Sequence, residues 1–146
     1  MAASVWTGTG VVARGWKGVV AGLAGGIVFG ILMAMMGMMS TIAMMVGSSS
    51  PVVGWLVHLV ISAFYGAVFA EIVPATLGTG GVLGAGAVYG IVLWVIGPLL
   101  IMPAVMGMPL FMFNTTTMMS LIGHLVYGVI VAGVLVPLRR RSTAHA

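Results

Sequence analysis

The chain has no cysteine, one acidic residue, and no lysine or arginine between its two ends. Without cysteine there is no disulfide, no thiolate metal site, no iron–sulfur cluster and no covalently attached c-type haem. With Glu71 as the single acid, no nucleophile–base pair with an orienting carboxylate exists, and no zinc signature with acids. Only 4% of the residues are charged, whereas a soluble globular domain carries about a quarter. The five basic residues are Arg14, Lys17, Arg139, Arg140 and Arg141. Gathered at the two ends, they form a topology signal rather than a nucleic-acid footprint. The glycine-rich run 78–86 follows no strand, so it is neither a phosphate loop nor a dinucleotide fingerprint.

What the chain does have is apolar length. Of its 146 residues 62% are hydrophobic, and the mean hydropathy is +1.29. Such a surface would aggregate in water and is the expected one in lipid. A bilayer-spanning helix needs about 20 apolar residues, and four stretches supply them: 18–46, 52–73, 82–107 and 117–138. Ser48-Ser49-Ser50-Pro51 separates the first two, Pro74 and Gly78–Gly81 the next two, and 107–117 the last two. The fold class is therefore an all-α integral membrane protein, a four-helix bundle with 18–138 as its transmembrane domain. Residues 1–17, with Trp6 and Trp16, read as an interfacial arm, and 139–146 as a basic tail. The start does not read as a cleaved secretory signal, because the first apolar run is too long and lacks a small-residue cleavage site. Basic residues at both ends and an even helix count place both termini in the cytoplasm.

The two halves resemble each other. Phe29-Gly30-Ile31-Leu32 parallels Tyr89-Gly90-Ile91-Val92, and one constant offset carries Gly26, Gly30, Gly37 and Gly47 onto Gly86, Gly90, Gly97 and Gly107. After a short insertion, His58-Leu59-Val60 falls on His124-Leu125-Val126. The pattern is a tandem two-helix repeat, 22–74 and 82–138. Each unit has two helices, so the repeat is parallel rather than inverted, unlike the inverted repeats of many alternating-access transporters. Gly22, Gly26 and Gly30 share one helix face, and Gly86 and Gly90 repeat it. In lipid, helices associate by close packing over such small-residue faces. Pro98 and Pro103 are expected to kink the third helix or free a carbonyl.

His58 lies between Gly54, Ser62 and Gly66, and His124 between Ser120, Gly128 and Ala132. These spacings put each imidazole on a small-residue face. A titratable group inside a membrane segment is a candidate functional residue. The plain reading is an interhelical hydrogen bond from each. Two sharper readings compete with it. Facing imidazoles in a four-helix bundle suit the axial positions of a b-type haem. Alternatively, most of the 14 methionines lie at 38–45 and 102–119, and thioethers with imidazole suit Cu(I). His58, His124, Met106 and Met118 are the metal candidates on that reading. Methionine is also a common gap-filler of apolar cores.

Glu71 is expected to pair with the Arg139–Arg141 cluster, tying the second helix to the fourth; joined with the histidines it would make a proton path. Three function classes remain open: a cofactor- or ligand-binding membrane protein, a small-solute or proton conductor, and a membrane scaffold or accessory subunit. The expected partners are the bilayer and, over the exposed glycine faces, a second copy or a larger membrane complex, with no nucleic acid.

From His58 onward the chain resembles the YagU-like inner-membrane protein family. The resembling stretches are His58–Ser62, Phe69–Pro74, Pro98-Leu99, Gly107–Phe111 and Ser120–Val126. The first half departs from the family, lacking its longer loop and adding the methionines of 35–45. The resemblance, taken over about residues 54–141, implies a bacterial inner-membrane protein and singles out His58, Glu71 and His124. It implies no cofactor.

Overall fold

A computed structural model describes residues 8–143; Trp6 with the first seven positions, and the last three of the tail, lie outside the described residues. The described residues form helices joined by loops, with no strand among them. The helices are α1 (Gly8–Met35), a short α2 (Met39–Met44), α3 (Pro51–Ile72), α4 (Thr79–Trp94), α5 (Met102–Val105) and α6 (Thr115–Thr143), with a π-helical segment, Val95–Ile101, joining α4 to α5. Four stretches are long and apolar enough to cross a membrane: Gly10–Met35, Pro51–Ile72, Thr79–Val105 and Thr115–Arg140. The protein is a multi-pass membrane protein built as an all-α bundle.

The first span differs from the expected 18–46. Its helix begins at Gly8, so the described part of the expected arm is helical and carries Arg14 and Lys17 on α1. It ends at Met35, where Gly37 adopts a left-handed φ of +70° and Met38 N–H bonds back to the Met33 carbonyl at 2.9 Å. That is the usual way a helix stops at glycine. The chain then turns into α2, which packs on α3 so closely that a Cβ at Gly54 would run into the Met39 carbonyl.

Packing follows the glycines. α1 lies on α3, with Gly18 and Gly22 against Gly66, and Gly22 and Gly26 against Ser62; any Cβ there would meet backbone or the serine side chain. α4 lies on α6 in the same manner, with Gly86 against Gly128 and Gly90 against the His124 carbonyl. The two pairs join through α1 and α6, where Gly25 backs onto Tyr127 and Val131, and Gly123 onto the Phe29 ring. α3 and α4 do not pack along their lengths. They meet at a bridge, where Tyr89 Oη donates to the Tyr65 carbonyl at 2.8 Å and the Tyr89 and Phe69 rings lie 5.1 Å apart.

Both helical ends of the chain and the α3–α4 loop share one end of the bundle, here called the basic end. There Arg14 Nη2 is 3.1 Å from Glu71 Oε2. The carboxylate thus pairs with Arg14 of α1, because α1 starts early enough to carry Arg14 alongside the end of α3. The tail arginines fasten the α3–α4 loop instead. Arg139 donates to the Pro74 carbonyl at 3.0 Å and Arg140 to Thr79 Oγ1 at 2.8 Å. The core also lies toward this end, around Phe69, Val82, Val131 and Leu135. The opposite end, rich in methionine, is more loosely filled.

Candidate ligand cavity

A cavity of about 800 Å³ occupies the methionine end. Its walls come from α1, α2, α3, the π segment, α5 and α6, and its base from Tyr65, Leu93 and Tyr127. Methionine, from 33–45 and 102–112, is the commonest residue type in the lining, and no Lys, Arg, Asp or Glu lines it. On one side it opens between α3 and the π segment, where the lining residues Val60, Phe64 and Ile101 are 70%, 61% and 43% exposed. All three belong to apolar spans, so this opening faces the hydrocarbon layer.

Both histidines reach the cavity wall, with different partners. His58 is buried, and its Nε2 is 2.9 Å from the Gly26 carbonyl of α1. A carbonyl only accepts, so Nε2 carries the proton and donates. Ser62, one turn on, donates to the His58 carbonyl at 2.7 Å, and Tyr127 Oη of α6 donates to the Ser62 carbonyl at 2.6 Å. His58 is thus part of the fastening between α1, α3 and α6.

His124 makes the opposite choice. Its Nδ1 lies 2.7 Å from the Ser120 carbonyl, one turn back on α6, so Nδ1 carries the proton and Nε2 is left as a bare lone pair. A Cβ added at Gly97 of the π segment would stand 3.9 Å from Nε2. His124 therefore presents an acceptor, or a ligating nitrogen, toward the cavity.

Between the imidazoles stands Phe29. Its ring centroid is 5.4 Å from that of His58 and 4.7 Å from that of His124, edge-on to both. Two axial haem ligands must face each other across an iron with a free nitrogen apiece. Here an aromatic ring fills the interval and the Nε2 of His58 is engaged, so the residues present do not fit a bis-histidine haem. Among the described residues no three His, Asp or Glu side chains come together; a metal at this end would be held by thioethers with imidazole. Met106 lines the cavity with both histidines. Met118 does not; it sits 47% exposed on α6. Glu71 is at the basic end, remote from this site.

Two features of the site were not visible in the sequence. Pro98 cannot donate a backbone hydrogen bond, and it lies in the π segment of the third span, where Met102 N–H bonds to the Gly97 carbonyl five residues back. The rim is held by the loop before α6. Asn114 Oδ1 accepts from Thr117 N–H at 3.0 Å, while Asn114 N–H donates to Thr117 Oγ1 at 2.9 Å, a reciprocal cap of the α6 N-terminus. Trp94 Nε1 donates to the Thr117 carbonyl at 2.7 Å, tying that cap to the third span.

Comparison with protein-family models, with curated proteins and with solved structures gives no match.

Proposed function

We propose that this is a bacterial inner-membrane protein, termini in the cytoplasm, that binds a small ligand in the methionine-lined cavity, with His124 Nε2 as the polar anchor. The observation that carries the reading is that bare nitrogen at the wall of a predominantly apolar cavity of about 800 Å³. Ligand sites are typically apolar pockets of about 300–1,000 Å³ with a few placed polar groups. A polar atom that lines an apolar pocket with no hydrogen-bond partner in the protein is one that a ligand can satisfy. The opening between α3 and the π segment favours a ligand that reaches the site from the bilayer. The cytoplasmic placement of the termini rests on the basic end, the inner-membrane placement on the resemblance to YagU-like proteins. The tandem-repeat reading draws support from the matching glycine contacts of α1 on α3 and α4 on α6.

The haem form of the site is set aside because Phe29 stands between the imidazoles. A proton path is disfavoured as well, since Glu71 is engaged by Arg14 at the far end. The scaffold reading has no single observation in its favour.

Gly97→Leu supplies the test. No atom comes within ordinary contact distance of a Cβ at 97 except His124 Nε2, at 3.9 Å. A leucine there fills the space before the nitrogen without touching the packed interfaces. Native mass spectrometry of protein released from lipid nanodiscs should find a bound species on the wild type that Gly97→Leu lacks. Identical spectra for the two proteins would overturn the reading.

A further inference from the structure

The π segment changes which side chain stands over His124. In an uninterrupted α-helix, Gly97 shares its face with residue 101, four positions on. Here the bond from Met102 N–H to the Gly97 carbonyl spans five residues, which brings Met102 over Gly97 and moves Ile101 aside. Ile101 is accordingly 43% exposed at the lateral opening. Regular α-spacing then resumes, with Met106 N–H bonded to the Met102 carbonyl at 3.1 Å. Gly97, Met102 and Met106 therefore form one line on the third span, and all three line the cavity with His124. π-bulges of a single turn are frequent at functional sites because they re-aim side chains in this way.

We infer that the ligand of this cavity is a soft monovalent metal ion, Cu(I) in chemical class, held by His124 Nε2 and the thioethers of Met102 and Met106. Thioether sulfur and imidazole nitrogen are the donors that select Cu(I) over hard or divalent ions. The bond from Nδ1–H to the Ser120 carbonyl fixes the tautomer that leaves Nε2 free, the usual outer-shell arrangement of a ligating histidine. The absence of carboxylate and thiolate from the lining argues against zinc, calcium and magnesium. The donor set so assigned contains neither His58 nor Met118. The inference rests on the cavity being a ligand site and names what it takes.

The test uses Ag(I), a redox-inert stand-in for Cu(I), titrated into the full-length protein in nanodiscs, with bound metal read by elemental analysis after desalting. Wild type should retain one ion per chain. The double variant Met102→Leu/Met106→Leu keeps side-chain volume and apolarity, so it should fold, and should bind at least about ten-fold more weakly, as loss of even outer-shell partners typically does. His124→Leu should do the same, and Met118→Leu should bind as wild type does. Retention of Ag(I) by the Met102→Leu/Met106→Leu protein at wild-type affinity would overturn the inference. So would a wild type that binds no Ag(I). If in that case the bound species lost in Gly97→Leu is still found, the metal assignment fails while the ligand site survives. If that species is missing too, both fail.

Discussion

At the scale of single residues, the two histidines have the same sequence surroundings and opposite roles. What separates them is the position one turn earlier. Ser120 offers its carbonyl to His124 Nδ1, whereas Gly54 lies beneath α2 and His58 turns across to Gly26 instead. An interhelical hydrogen bond in a membrane protein is worth about 1 kcal/mol, while a bond within one turn of a helix fastens nothing to a neighbour. His58→Leu should therefore lower unfolding stability by about 1 kcal/mol, and His124→Leu should lower it by less, as read by reversible unfolding in mixed micelles. An equal or reversed order would show that the roles are misassigned. That both histidines stand on small-residue helix faces could be read from their spacing. Their tautomers could not, because each depends on which neighbouring carbonyl comes within reach.

At the scale of elements, hydropathy located the last three spans to within a few residues but set the first too late, and Pro51 and the glycine faces marked where helices start and meet. The breaks were harder to read. Gly37 sits among methionines in a run as apolar as a helix interior, and glycine is common in membrane helices. Only its positive φ distinguishes it from Gly30. The π segment was equally hidden, since a proline in an apolar run announces a missing donor but not whether the helix bends or widens. The Arg14–Glu71 pair was missed because α1 was expected to begin after Arg14. The interfaces themselves make a firm prediction. A Cβ at Gly66 would collide with the backbone of Gly18 and Gly22, and backbone cannot swing aside as a side chain can. Gly66→Ala should separate α1 from α3 and destabilise the protein strongly. Gly80→Ala, where nothing lies within 4 Å of the added carbon, should be neutral. The same micellar unfolding measurement compares them, and a Gly66→Ala protein as stable as wild type would refute the glycine-packed interface.

At the scale of the whole molecule, the bundle divides into a fastened basic end and an open methionine end. Ion pairing, the tail hydrogen bonds and the dense core all gather at the first, and the cavity lies at the second. On the proposed reading, that division gives stability to one half of the membrane and ligand binding to the other. On the proposed orientation, with the basic end cytoplasmic, the methionine end faces outward. Because the chain has no cysteine, single-cysteine variants report this directly. Thr79→Cys should react with an impermeant thiol reagent only from the cytoplasmic side, and Ser49→Cys and Thr116→Cys only from the opposite side. The reverse labelling would invert the orientation. The central claim, that His124 holds a bare nitrogen ready for a ligand, is tested most directly by nitrogen-15 magnetic resonance of histidine-labelled protein in bilayers. The chain has three histidines, so the signals can be assigned with one variant each. The account predicts His58 protonated on Nε2, His124 protonated on Nδ1, and a shift of His124 Nε2 alone when Ag(I) is added. A His124 protonated on Nε2, or a His124 signal unmoved by the metal while His58 responds, would contradict it.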